Sequence, residues 1–118
     1  MEPTQTPSPE AFDRDLRGRN LVGTDFSRQD LRMANLISAN LEGTLLNQAA
    51  LTGAKLHSSR LRHATLDEAD LSKVAARDVD FEGASLRGAN LSGADLRGAV
   101  LLEADLRQAD LRNSNLTD

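Results

Sequence analysis

GASLRGANLSGADLRGAVLLEADLRQADL, residues 83–111, returns a leucine at every fifth position from Leu86 to Leu111 and places an alanine two positions before each. Five residues carry an α-helix past a full turn, so these leucines would spiral around the cylinder instead of forming a stripe. In an unbroken strand a step of five alternates faces, which fails as well. A period of five asks for a short extended piece, whose first and third places share a face, followed by a bend.

The register extends without insertion from Arg14 to Asp118 as 21 quintets, and the third place is Leu or Phe in 20 of them, with Ala76 the exception. The first place is Ala in 12 quintets and the second is Asp or Asn in 13. All eight glycines (Gly18, Gly23, Gly43, Gly53, Gly83, Gly88, Gly93 and Gly98) stand in the fifth place. Glycine reaches positive φ at little steric cost, so the fifth place reads as the bend. Coiling such a chain puts first and third places inside and leaves the second, fourth and fifth outside, in a solenoid held together between neighbouring coils.

The repeated A-(D/N)-L-x-x unit resembles the pentapeptide-repeat proteins over residues 14–118. The resemblance implies an all-β, right-handed quadrilateral β-helix in which four quintets make one square coil, hence about five coils here. Residues 1–13 are expected to form a flexible leader carrying Pro3, Pro7 and Pro9, with a short cap begun by Ser8, Pro9 and Phe12. Nothing comparable follows Leu116, and an open coil end exposes unpaired backbone. The family commonly dimerises through such an end, which implies a homodimer through the C-terminal coil.

Composition narrows the chemistry. The 118 residues are 39% apolar, with three Phe and no Trp, Tyr or Cys, so disulfides, thiolate metal sites and a Cys nucleophile are excluded. No signal-like start and no run of membrane length occurs, and a cytoplasmic protein that meets no membrane is the expectation. The glycines five apart belong to corners, and neither GxGxxG nor GxxxxGK[ST] is present. His57 and His63 read as isolated solvent groups. No catalytic, cofactor-binding or metal-binding residues are expected, no cofactor, and no enzyme.

The pattern is weakest at 44–66 and 74–80, where Leu45, Ala50, Lys55, Arg60 and Thr65 replace Asp or Asn and Ala76 leaves a gap beside Val74 and Val79. Compensation of that gap by the two valines is the favoured reading. Arg17, Arg32, Arg62, Arg77, Arg87, Arg97, Arg107 and Arg112 all take the fourth place. They are read as paired with acids on neighbouring rungs, such as Glu82, Asp95 or Asp105, at little net energy, with polyanion binding as the alternative. Val22, Val100 and Leu102 fall on or beside one face.

The residues thus point to a protein-interaction or structural module with a protein partner of unknown identity and no direct contact with nucleic acid. The alternative implied by the resemblance is a mimic of duplex DNA that binds DNA gyrase or topoisomerase IV and protects it from quinolones or toxins. A net charge of -4 weighs against it, because a duplex carries about 15 charges over a rod of ~25 Å.

Overall fold

The computed structural model describes residues 14–117. The leader prolines and the cap assigned to Ser8, Pro9 and Phe12 lie outside the described residues.

Every bridge is parallel and joins a second-place residue to the second-place residue twenty positions later, from Asp15 with Asn35 through Asp95 with Asn115. Four quintets therefore complete one circuit. The extended pieces are shorter than ordinary strands: each contributes a single bridged residue before the chain bends again.

The bend is built the same way at every corner from Leu16 to Ser114 except that of Ala76. The N–H of the next first-place residue donates to the third-place carbonyl, as Arg19 does to Leu16 at 3.2 Å and Ala89 to Leu86 at 3.1 Å. The fifth-place residue between them has φ near +60°, whether it is Gly88 or a residue such as Ser58 or Glu68. Positive φ at the third turn residue alone is the type II arrangement. Twelve non-glycine residues accept this conformation, at roughly 1 to 2 kcal/mol each, so the bend does not itself require glycine.

A second reason for glycine appears at the corners. A Cβ at Gly83 would meet the His63 ring, and one at Gly53 would meet the Met33 sulfur. The long fifth-place side chain of one coil lies over the bare corner of the next. At Gly18, Gly23 and Gly43 a Cβ would meet nothing within 4 Å.

First and third places form the interior as their spacing demands. From Leu31 to Leu91 the third-place leucines are at most 1% exposed, and Phe81 is fully buried among them. Ala76 is also fully enclosed, and Val74 and Val79, in the first places on either side of it, are buried with it. The two valines thus place bulk beside the truncated site. The Ala76 corner is the one between Leu16 and Ser114 without the bond from the next first-place N–H, here that of Val79.

Candidate interaction surface

Backbone accounting identifies what the outside must satisfy. Within a quintet the first-place N–H closes the turn and the second-place N–H donates to the preceding coil. The third- and fifth-place N–H groups donate to the following coil, as Leu16 does to Asn35 at 2.8 Å and Gly18 to Ile37 at 2.9 Å. Only the fourth-place N–H is left over.

The second-place Asp or Asn takes that bond. Asn20 accepts from Val22, Asp25 from Ser27, Asn40 from Glu42, Asp70 from Ser72, Asn90 from Ser92 and Asn115 from Thr117. The same contact recurs at Asp15, Asp30, Asn35, Asp80, Asp95, Asp105 and Asp110. All 13 Asp or Asn residues of the second place therefore cap their own turns, in the manner of an Asx-turn.

Three quintets without such a residue borrow an acceptor from the preceding coil. The N–H of Asp67 donates to Asn47 Oδ1 at 3.0 Å, that of Arg77 to His57 Nδ1 at 3.0 Å, and that of Arg87 to Asp67 Oδ1 at 3.2 Å. His57 is thus a structural acceptor rather than an isolated solvent group. Its role follows from Ala75, which cannot cap the Arg77 turn.

The arginines correct the sequence-based pairing. Most bind the carboxylate two residues before them in their own quintet: Arg17 to Asp15, Arg32 to Asp30, Arg97 to Asp95, Arg107 to Asp105 and Arg112 to Asp110, at 2.7 to 2.8 Å. That carboxylate is already anchored by the fourth-place N–H, so the guanidinium closes onto a fixed target. Arg62 and Arg87 do reach neighbouring coils, Arg62 to Glu82 at 2.9 Å and Arg87 to Asp105 at 3.5 Å. The arginine hydrogen bonds hold Asp95, Asp105 and Asp110 down to about 2. Arg32 lowers Asp30 in the same way.

Side chains also run between coils along one corner. Arg28 Nε donates to Gln48 Oε1 at 2.7 Å, and Gln48 Nε2 donates to Glu68 Oε1 at 3.0 Å. A shallow groove beside this ladder is lined by Ser27, Asn47 and Asp67 as well. In its walls Arg28, Gln48 and Glu68 are hydrogen-bonded in series, and the Asp67 N–H donates to Asn47 Oδ1. Among the described residues no group of three or more His, Asp or Glu could hold a metal ion, and no helix is long and apolar enough to cross a membrane.

The C-terminal coil differs from the others. Leu101, Leu106 and Leu111 are half-buried and Leu116 is exposed, whereas the third places from Leu31 to Leu91 are closed off. The N–H groups of Leu101, Leu106 and Leu111 and the carbonyls of Ala99, Ala104 and Ala109 have no backbone partner among the described residues. Val100 and Leu102 stand exposed at the rim of this end. The bridge register puts Val22 on the same side four coils away, too distant to share a patch with them.

The family model for pentapeptide repeats matches in eight copies, covering 15–48, 34–72, 46–83 and 80–118. A pentapeptide repeat protein of the Arabidopsis thaliana thylakoid lumen is similar at 29% identity over 91% of this chain and 75% of its own, with a TM-score of 0.85. Rfr23 from the cyanobacterium Cyanothece is 28% identical over 89% of this chain and 88% of its own, with a TM-score of 0.53. QnrB1, a plasmid-mediated fluoroquinolone resistance protein, is 20% identical over 98% of this chain and 83% of its own, with a TM-score of 0.30. No curated protein matches the sequence. With a twenty-residue circuit, a type II corner in the fifth place and repeats matched from 15 to 118, the chain belongs to the pentapeptide-repeat family.

Proposed function

We propose that the chain is a non-enzymatic protein-interaction rod, a right-handed quadrilateral β-helix of about five coils that pairs with a second copy through its C-terminal coil. The C-terminal coil of the described residues carries this reading. Around half-buried Leu101, Leu106 and Leu111 a row of N–H and C=O groups has no backbone partner among the described residues, and such a row is a template for another chain. A copy presenting the same end supplies the complementary edge in a two-fold arrangement. We propose a cytoplasmic location as well, which fractionation of the source cells checks.

The mass of the purified protein in solution tests the pairing. Wild type is expected as a dimer at micromolar concentration, and Leu102→Asp, which changes an exposed rim residue, as a monomer. A wild-type protein with the mass of one chain overturns the pairing.

Duplex mimicry finds no support in the rod itself. Residues 14–117 hold 14 Lys or Arg and 14 Asp or Glu, so the net of -4 comes from Glu2, Glu10, Asp13 and Asp118. An electroneutral rod lacks the charge density of a polyanion. The likeness to QnrB1 carries no argument for a shared target. A gyrase supercoiling assay with and without ciprofloxacin is expected to show neither inhibition nor protection by the purified chain.

A further inference from the structure

One coil, Thr44 to His63, departs furthest from the two patterns of the surface, self-capped turns and acids interspersed with cations. From Gly43 to Leu66 there is no Asp or Glu, while Lys55, Arg60 and Arg62 lie within that span. The same coil has no self-capping turn, because its second places are Leu45, Ala50, Lys55 and Arg60. The N–H groups of Asn47, Thr52, His57 and Arg62 accordingly have no acceptor among the described residues, in contrast to the borrowed caps at Asp67, Arg77 and Arg87. Lys55 and Arg60 are the two cations of the second place, in consecutive quintets on either side of one corner. Both are exposed, and neither has an ion pair within 4.0 Å among the described residues.

The rest of the rod shows what such a constellation binds. At Asp95 one carboxylate accepts the Arg97 N–H at 3.3 Å and both guanidinium contacts at 2.7 and 2.8 Å, and Asp105 and Asp110 repeat the arrangement. Beside the His57 N–H stands Lys55, and beside the Arg62 N–H stands Arg60, each a cation in the second place where the other turns hold their carboxylate, while the Arg62 guanidinium itself is held by Glu82 at 2.9 Å and Asp80 at 3.7 Å. We propose that this corner docks a carboxylate-rich segment of a partner protein, whose Asp or Glu side chains cap the His57 and Arg62 N–H groups and pair with Lys55 and Arg60.

The surroundings favour discrete carboxylates over a continuous polyphosphate. Glu42 on the preceding coil and Asp78, Asp80 and Glu82 on the following one bound the cationic coil along the rod axis. Arg62 is already engaged by Glu82 at 2.9 Å, and Asp80 caps the Glu82 turn. A nucleic acid strand crossing several coils would meet these acids in succession, whereas a peptide following one coil around the corner meets them along one edge only, where Asp80 and Glu82 are paired with Arg62. The site rests on the reading of the rod as a protein-interaction module, and it names the partner's chemistry.

The test is fluorescence anisotropy of a fluorescein-labelled oligo-aspartate peptide with the full chain, beside a labelled single-stranded oligothymidylate. Wild type is expected to bind the peptide in a salt-sensitive manner and more tightly than the oligonucleotide. Lys55→Asp with Arg60→Asp installs the residue that caps other turns, so the fold is expected to be kept or strengthened while peptide affinity falls by about tenfold or more. Lys55→Asn with Arg60→Asn removes the charges with neutral caps and is expected to give the same loss. Equal affinity in these variants, tighter binding of the oligonucleotide, or no binding of the peptide overturns the site. A natural partner retained equally by wild type and the double variant would overturn the site and leave the module reading standing.

Discussion

His57 Nδ1 accepts the backbone N–H of Arg77, twenty residues and one coil later, at 3.0 Å. A side chain on one coil thereby completes a turn on the next, where Ala75 provides no oxygen. His57→Ala is expected to destabilise the rod by about 1 kcal/mol in denaturant unfolding. His57→Asn is expected to cost less, because Asn47 performs the same task for Asp67. Adding Ala75→Asp to His57→Ala restores a self-capped turn and should recover the loss. A loss unchanged by Ala75→Asp would mean that His57 acts through packing.

Ser59 occupies an interior first place at 1% exposure, and its hydroxyl has no hydrogen-bond partner among the described residues. Thr44, in the same kind of position, donates to the Leu41 carbonyl at 2.8 Å. Ser59→Ala is therefore expected to raise stability by about 1 kcal/mol, while Thr44→Ala should not. Equal effects of the two substitutions would contradict this assignment.

Leu91→Asp puts a carboxylate into a core position that is 1% exposed, at a cost of roughly 4 kcal/mol or more. Circular dichroism should show an unfolded chain. Arg97→Ala removes an exposed partner of Asp95 and leaves the N–H cap in place, so its effect should stay within about 0.5 kcal/mol. A folded Leu91→Asp protein with unchanged melting would refute the buried register.

Acid should weaken the rod late. Asp95, Asp105 and Asp110 are held at about 2, below the ordinary 3.8. A carboxylate depressed on folding contributes stability that is fully present above its unfolded value and disappears as pH falls through its folded value. Melting temperatures are expected to be unaffected by these groups above about pH 4 and to fall between there and pH 2. Asp105→Asn should flatten that fall. A decline beginning near neutrality would assign acid sensitivity to other groups.

The period of five was legible because it is written in the interior, where Leu and Ala have no alternative environment. The reason for Asp and Asn in the second place was not. The preference stood out, but its cause is the one N–H that the coil leaves over, and this emerges only when the bonds between coils are counted. The neighbouring-rung pairing holds for Arg62 and Arg87, while the other arginine partners were misplaced for a related reason. Sequence placed Arg97 against acids on neighbouring rungs, whereas Asp95, fixed by its own turn, presents a nearer target. The irregular stretch around Lys55 and Arg60 was visible as weak pattern, and the uncapped turns give that weakness a physical meaning. Glycine at position 83 was attributed to the bend, while the corner also leaves room for His63.

Bridges that recur at twenty residues over repeats of five make the rod an angular scale as well as a linear one. Inserting or deleting one quintet would keep every leucine inside, yet it would turn all downstream surface side chains by a quarter of a revolution. Lys55 and Arg60 would then face a different direction from the rim at Val100 and Leu102. A change of four quintets lengthens or shortens the rod without rotating anything. Evolution can therefore adjust reach and aim separately, using the same small unit of sequence.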